Sequence, residues 1–514
     1  MLRRFKGSKY NRLITTALLI ILQLFWLGLA YIAIYNNFKI LAYVVKILAA
    51  VYVLYIVQKD DSPAMKIGWI VLILSLPIIG VPLYLFYGDR KPTRKMYDRI
   101  KSAQLVSPGK IMQSGDVIGE LTEENERASG TSRYIYSNSG FPVYGRTSVK
   151  YYHSGEMMFH DMYIAMKDAK KYIFLEYFIF ENGKMWNTVL SLLLEKAKEG
   201  VEIKIIYDDF GIIAKRLPIH FDRYLEELHP NIRCLRFNPV LPLAIMSMNN
   251  RDHRKLLIVD GEKAFTGGIN LADEYINEIN LFGYWKDTGI RMTGEAVNSF
   301  VLTFIELWNA FRQDIMSAEN YLAPEADYES HPSDGYVQPF SDCPLDDEYL
   351  ARNVIIDMLS RAREHAYICT PYLIIDSELR AALCIAAKRG VDVRIVTPGI
   401  PDKKITFRLT RANFRPLLSA GVKLYAYTPG FIHAKSVVVD ANCAMIGTVN
   451  LDYRSMYLHF EDGVYLYGSS CIEDMSRDFI SVCRQSRQLT HADLKQGIFG
   501  SAIDSILRAF ETLF

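Results

Sequence analysis

The same order of elements occurs twice along this chain, and that duplication limits its folds more than any other feature. Tyr172–Phe180 (YIFLEYFIF) reads as a buried strand, Asn187–Gly200 has helical spacing with Gly200 as its stop, and Val201–Tyr207 reads as a second strand. The order returns as Tyr367–Ile375 (YICTPYLII), a helix ending at Gly390, and the strand Val391–Thr397. The junctions agree position by position, Gly200-Val201-Glu202-Ile203-Lys204-Ile205-Ile206 against Gly390-Val391-Asp392-Val393-Arg394-Ile395-Val396. Each half then carries H-x-K-x-x-x-x-D, at His253, Lys255 and Asp260 and again, 180 residues on, at His433, Lys435 and Asp440. A period that long marks a duplicated domain and not a solenoid turn. Alternating strands and helices predict mixed α/β sheets with helices outside.

The excess of apolar residues lies ahead of these halves. Leu13–Tyr35 is 23 residues without a charge, enough to cross a ~30 Å hydrocarbon core. Ile40–Val57, interrupted by Lys46, and Ile67–Tyr87 are two further apolar runs. Arg3, Arg4, Lys6, Lys9 and Arg12 precede the first run, and Arg90, Lys91, Arg94, Lys95, Arg99 and Lys101 follow the third. Keeping both basic clusters in the cytoplasm requires an even number of crossings. The Pro77-Ile78-Ile79-Gly80-Val81-Pro82 segment interrupts the third run, and the second is only 18 residues long. The expectation is therefore two crossings, one re-entrant or interfacial run, and a cytoplasmic catalytic part on a multi-pass protein of the cell membrane.

The formal charge of +2 hides an asymmetry, because residues 1–101 hold 15 Lys+Arg against 4 Asp+Glu. The remaining 413 residues hold 44 basic against 53 acidic side chains, a net of −9. That balance lacks the basic footprint of a general nucleic-acid binder. The seven cysteines are odd in number and none has C-x-x-C spacing, so they read as reduced packing residues. The expected domains are 1–101 as the membrane region, 130–322 and 348–490 as the two α/β domains, and 323–347 as their connection. Residues 491–514 form an amphipathic C-terminal helix, with Ile503, Ile506, Leu507, Phe510 and Leu513 at helical spacing for docking on the catalytic part or the membrane.

Period-two alternation puts His253 and Lys255 on one face of a strand. After the turn at Asp260-Gly261 comes Gly267-Gly268-Ile269-Asn270, which the second half repeats as Gly447-Thr448-Val449-Asn450. An imidazole, an ammonium and an amide on a glycine-rich edge suit a phosphate: Lys255, Asn270, Lys435 and Asn450 stabilise its oxygens while a histidine attacks phosphorus. A nucleophilic histidine needs an orienting acid on its other ring nitrogen. Glu461 lies 28 residues after His433, and the matching segment of the first half puts Asp287 34 residues after His253, so these two are the candidate orienting carboxylates. Asp260 and Asp440 complete the candidate catalytic set by motif, but their odd spacing from the lysines reads as structural support. The Thr448 hydroxyl, standing where the first half has Gly268, is expected to face phosphate without loss of activity. His153, His160 and His459 lack a motif and read as surface or packing residues. Val240–Met248 (VLPLAIMSM) reads equally as a buried strand edge or as an apolar lip that admits acyl chains.

These motifs resemble the phospholipase D superfamily and, more closely, the bacterial cardiolipin synthases. The resemblance is carried by Asn249–Lys255, by Gly267–Tyr275 (GGINLADEY), by Gly447–Ser455 (GTVNLDYRS) with Phe460-Glu461, and by the head from Gly68-Trp69 to Tyr87-Gly88. It implies two pseudo-symmetric phospholipase D-like α/β domains behind a transmembrane helical region. The implied reaction takes two phosphatidylglycerols to cardiolipin and glycerol, with no nucleotide, metal or other cofactor and with the lipid bilayer as partner. His253 would be the nucleophile of a phosphatidyl-histidine and His433 the acid and base. The chain has no G-x-x-x-x-G-K-[ST] loop and no H-E-x-x-H. Three readings compete: a phospholipase or a transferase with another acceptor, a membrane-tethered nuclease, and a scaffold built on a decayed enzyme. The acidic balance speaks against the nuclease, and the six intact motif residues speak against the scaffold.

Overall fold

The computed structural model describes residues 39–513 except 60–61, 89–91, 107–110, 214, 216, 219, 241–248, 325–330, 346–347 and 496, and before residue 39 only Leu22, Phe25, Trp26 and Leu29. The first half contributes β1 (Thr147–Tyr152), β2 (Tyr172–Tyr177), β3 (Glu202–Asp208), β4 (Ile232–Phe237), β5 (Lys255–Val259), β6 (Lys263–Gly267), β7 (Tyr284–Lys286) and β8 (Gly289–Gly294). The second contributes β9 (Tyr336–Asp342), β10 (His365–Cys369), β11 (Asp392–Pro398), β12 (Lys423–Tyr427), β13 (Gly430–Ile432), β14 (Ser436–Val439), β15 (Cys443–Gly447), β16 (Glu461–Tyr467) and β17 (Ser486–Gln488). The first sheet runs β1-β8-β6-β5-β2-β3-β4 and the second β17-β12-β11-β10-β14-β15-β16-β9. Read in opposite directions the two orders coincide, with β17 as the added edge. In each, three strands are parallel, β2-β3-β4 or β10-β11-β12, and the strand after the H-x-K motif pairs antiparallel to the first of them.

The Val297–Phe311 helix is apolar nearly all round, so it must be covered on more than one side. It buries 11 of its 15 residues, and its core joins Phe174, Leu256 and Ile290 of the first sheet to Val438, Ile446 and Leu466 of the second. Phe304 stacks on Phe174 with ring centroids 4.6 Å apart. Helices Gly155–Asp168 and Lys184–Lys198 cover the outer face of the first sheet. Helices Leu350–Arg361 and Ser377–Lys388 cover that of the second.

Two segments depart from the expected domain limits. Tyr336–Asp342, assigned above to the connection, is β9 and pairs along its whole length with β16. The Gly115–Glu124 and Glu126–Ser139 helices precede the first half in sequence, yet Leu121, Ala128 and Ile135 pack in the core of the second. Chain order was the only guide to membership there, and packing overrides it.

Of the run Leu13–Tyr35, all but Leu22, Phe25, Trp26 and Leu29 lies outside the described residues. The second run forms the Lys39–Gln58 helix. The third splits at Leu76 into the Pro63–Ser75 and Pro77–Tyr87 helices, each with proline in its first turn, where a missing N–H costs nothing. Among the described residues no helix is long and apolar enough to cross a membrane. Tyr84 nonetheless packs edge-on against Trp69 at 5.4 Å, and Ile40, Ile47, Val51 and Leu54 turn apolar side chains outward. The C-terminal Ile498–Ala509 helix docks on protein: Asp504 pairs with Arg408, and the Ala509 carbonyl lies 2.4 Å from where a Cβ on Gly68 would sit. Its other face leaves Ile498, Phe499 and Ile506 exposed.

Candidate active site

The sheets bring the two motifs together at the ends of β5 and β14, and each histidine is fixed by backbone from the opposite half. His253 donates its backbone N–H to the Phe460 carbonyl at 2.8 Å, and Phe460 donates to Arg251 at 2.8 Å. His433 donates to the Lys286 carbonyl at 2.7 Å, at the end of the parallel pair β13–β7. These strands place the acids across the interface. His253 Nδ1 lies 2.9 and 3.0 Å from the two oxygens of Glu461, and His433 Nδ1 lies 2.7 Å from Asp287 Oδ2. Asp287 and Glu461 thus meet the histidines as orienting groups, each facing the histidine of the other half and not the one from which it was counted. With each Nδ1–H donated to a carboxylate, Nε2 carries the lone pair.

Both histidines, both lysines and both acids are buried. Lys255 Nζ donates to the His253 carbonyl at 2.7 Å and Lys435 Nζ to the His433 carbonyl at 2.6 Å; Lys435 Nζ also lies 3.1 Å from both ring nitrogens of His433. Burial pushes Lys255 down to about 8 and Lys435 to about 7. Burial and the lysines hold His253 well below the usual imidazole range. Burial and Lys435 also lower His433, to about 4, with Asp287 acting against them. Both imidazoles are therefore neutral at rest.

Asp260 and Asp440 do not join this cluster. They sit in the turns beyond β5 and β14, at φ of 56° and 51°. Asp260 accepts from the backbone N–H groups of Lys170, Lys171 and Tyr172 at 2.7 to 2.8 Å. Asp440 accepts from Arg363, Glu364 and His365 at 2.8 to 3.0 Å. Each pins the start of the first parallel strand, so their inclusion with the catalytic groups is corrected to a structural role. Thr448 is a second correction. Its hydroxyl donates to Glu461 Oε2 at 2.6 Å and accepts from the Asp462 N–H at 2.9 Å, so it supports an acid and faces no phosphate. At the matching Gly268 a Cβ would sit 1.9 Å from Asp287 Oδ1; the shorter acid needs the space that the longer one fills with a hydroxyl.

Asn270 and Asn450 both line the cavity beside the histidines. Asn270 is committed, donating to the Tyr275 hydroxyl at 2.7 Å and accepting from the Ile179 N–H at 3.1 Å, whereas Asn450 Oδ1 is buried without a described partner. His459, read above as packing, is a member of the site: its ring centroid lies 5.6 Å from that of His253, and Nδ1 is 3.7 Å from Glu461. Burial lowers it to about 3. Among the described residues, His253, His459 and Glu461 are those whose ligand atoms could converge on a metal ion, within 4.8 Å of one another. No motif signalled His459; its proximity to Glu461 in sequence was the available clue.

The cavity measures about 940 Å³ and reaches from His253, His433 and Asn450 to Trp69 and Tyr84 of the head and Leu513 at the C-terminal end. A polar floor beneath an apolar upper wall suits a molecule with a phosphate at one end and hydrocarbon at the other. Residues 241–248 of the candidate lip lie outside the described residues; Val240 is buried and donates to Asp209 at 2.7 Å.

The family described as "Cardiolipin synthase, PLD-like domain" matches residues 162–284 and again 355–483, and the one described as "Phospholipase_D-nuclease N-terminal" matches residues 44–88. An uncharacterized protein of Streptococcus mutans is 42% identical over 445 residues, 86% of this chain and 95% of that one. A cardiolipin synthase of Alkalihalophilus pseudofirmus is 31% identical over 463 residues, 88% of this chain and 90% of that one. The crystal structure of a phosphatidylserine synthase from Haemophilus influenzae superposes with a TM-score of 0.56 at 14% identity, covering 75% of this chain and 98% of that one, a likeness of fold.

Proposed function

Because the chain belongs to the phospholipase D-like cardiolipin synthase family, we propose that its crossed histidine–carboxylate pairs pass a phosphatidyl group between two phosphatidylglycerol molecules. The protein is a phosphatidyltransferase that makes cardiolipin. In the first step His253 Nε2 attacks phosphorus, the bond from phosphorus to the glycerol oxygen breaks, and His433 gives that oxygen its proton. In the second step His433 takes the proton from a terminal hydroxyl of another phosphatidylglycerol, whose oxygen displaces His253 from phosphorus. Cardiolipin and one glycerol leave, and both imidazoles return to their starting states.

The observation that carries the two-histidine scheme is the crossed pairing of His253 Nδ1 with Glu461 at 2.9 and 3.0 Å and of His433 Nδ1 with Asp287 at 2.7 Å, which fixes the tautomer of each ring beside the cavity. Both rings are held below the usual imidazole range, so His253 is neutral as attack on phosphorus requires. The 2.7 Å contact with Asp287 partly offsets the burial that lowers His433, and the negative charge of an arriving phosphodiester raises it toward the protonated form that gives up a proton. Lys255 and Lys435 hold the equatorial oxygens, with the Asn450 amide beside them.

The enzyme works on a membrane. The outward apolar side chains of the Lys39–Gln58 helix and the exposed Phe499 and Ile506 supply surface for the bilayer. The cavity wall formed by Trp69, Tyr84 and Leu513 gives acyl chains a path to the histidines. Multi-pass insertion with the catalytic domains in the cytoplasm accords with the basic clusters around the head.

Purified full-length protein with phosphatidylglycerol vesicles, free of nucleotide and of divalent metal, should release cardiolipin and glycerol in equal amounts. Phosphatidic acid instead of cardiolipin would reassign the acceptor to water, and a requirement for metal would overturn the two-histidine scheme. Acid quenching during turnover should trap phosphorus on His253; an adduct on His433 would reverse the two roles.

A further inference from the structure

Joining two phosphatidylglycerols brings a second phosphodiester into the cavity while the first is held by the histidines and lysines. An anion entering a low-dielectric cavity needs a partner of its own. The internal repeat shows where one stands. Aligned on the two motif tails, Asn270 matches Asn450, and four residues further on Glu274 matches Arg454. Both side chains line the cavity. Glu274 is met by Lys215 at 3.5 Å, which also pairs with Glu181 at 2.7 Å, so that flank holds two carboxylates on one ammonium and offers no spare positive charge. Arg454 has no such partner: among the described residues its guanidinium makes no hydrogen bond or ion pair.

The groups around Arg454 are otherwise engaged. Arg251 bonds to Asp208 at 3.3 Å and to the Asn238 carbonyl at 2.7 Å. Asp452 Oδ1 caps its helix by accepting from the Ser455 N–H at 2.8 Å. Burial lowers Arg454 from the usual guanidinium range despite Asp452 and Asp208 nearby, as expected for a cation short of negative charge. The pseudo-symmetry is thus broken in charge at one position, with a cation that makes no ion pair on one flank and carboxylates in excess of their lysine on the other.

We propose that Arg454 anchors the phosphate of the second, acceptor phosphatidylglycerol, making its flank of the cavity a phosphodiester subsite separate from the histidine–lysine cluster. The assignment rests on the cardiolipin synthase reading, and it adds that the acceptor is selected for its phosphate as well as for its hydroxyl. A planar guanidinium suits two oxygens of one phosphate.

The test compares two reactions of the full-length enzyme on the same vesicles: cardiolipin formation, and exchange of labelled glycerol into phosphatidylglycerol. Both pass through the same phosphatidyl-enzyme, but glycerol carries no phosphate. In Arg454→Gln the ratio of cardiolipin formation to exchange should fall by at least about tenfold, the usual consequence of losing a charged hydrogen bond. Arg454→Lys should recover part of that ratio. Because the ratio is internal to each preparation, partial misfolding cancels. An unchanged ratio overturns the proposal, whether both reactions persist or both fall together. If the unmodified enzyme exchanges glycerol yet forms no cardiolipin, the underlying activity is wrong and the subsite falls with it.

Discussion

The crossing of acids between halves makes a prediction that separates the two chemical steps. In Glu461→Gln the carboxylate 2.9 and 3.0 Å from His253 Nδ1 becomes an amide, whose N–H₂ group competes to donate to that nitrogen. The ring then settles with its proton on Nε2 and has no lone pair for phosphorus. Loss of one charge-assisted hydrogen bond is worth about 1.5–3 kcal/mol, or roughly 10- to 150-fold in rate. The wrong tautomer adds to this, and in serine hydrolase triads the combined effect reaches ~10⁴. Asp287→Asn acts on His433 and so on proton delivery to the departing oxygen. The assay is a single-turnover burst with a phosphatidyl donor carrying p-nitrophenol, a leaving group that departs without protonation. Glu461→Gln should lose the burst by about 10²–10⁴ with either donor. Asp287→Asn should lose it by a similar factor with phosphatidylglycerol but by less than about tenfold with the activated donor. Had the acids served the histidines of their own halves, the activated donor would rescue Glu461→Gln instead, and that result would refute the crossed assignment.

Alkaline pH should weaken binding before it harms chemistry. Lys435 and Lys255, at about 7 and about 8, lose their charge as pH rises, so kcat/KM, which reports the free enzyme, should fall with apparent values of the pair in that range; a flat profile to pH 9 would contradict the burial assigned to them. Asp260→Ala and Asp440→Ala each orphan three backbone N–H groups and should cost about 2–4 kcal/mol in denaturant unfolding, while activity per folded molecule stays near that of the parent. Thr448→Val removes the 2.6 Å donor to Glu461 Oε2 and leaves that buried oxygen only its 3.0 Å contact with His253 Nδ1, lowering kcat by roughly 5- to 100-fold with little change in KM. Each result is read by steady-state kinetics on mixed micelles of fixed lipid fraction.

The sequence made the motif residues legible because their chemistry is local: an imidazole and an ammonium two residues apart, then an amide on a glycine-rich edge. Duplication extended that reach, since register between the halves pointed to Asp287 and Glu461 although neither belongs to the motif. The crossing stayed hidden, because it depends on β13 pairing with β7 and on Asp252 bridging to Phe460, contacts between segments with no reciprocal mark in sequence. Chain order likewise misassigned Tyr336–Asp342 and Glu126–Ser139, whose partners are set by apolar faces that fit either sheet on pattern alone. For Thr448 the residue type was visible but its direction was not. A hydroxyl on a phosphate-binding edge invites contact with substrate until the acid behind it is placed.

Crossed acids also explain why two nearly identical halves remain in one body. Neither half holds a complete site: His253 without Glu461, and His433 without Asp287, has no carboxylate to fix its tautomer. The same backbone bonds that dock the halves, His253 to Phe460 and His433 to Lys286, set the angle at which each imidazole faces the cavity. Docking and catalysis therefore share one set of contacts, so an error in one is an error in the other. Exact symmetry would make the two histidines interchangeable. The substitutions that break it are few: aspartate against glutamate behind the rings, glycine against threonine beside them, and glutamate against arginine at the cavity wall. The first two change how the acid behind each ring is held, and the third gives one flank of the cavity an arginine where the other has a glutamate. A duplicated fold supplies the paired imidazoles that phosphoryl transfer needs, and the docking of the halves completes each with an acid from the other.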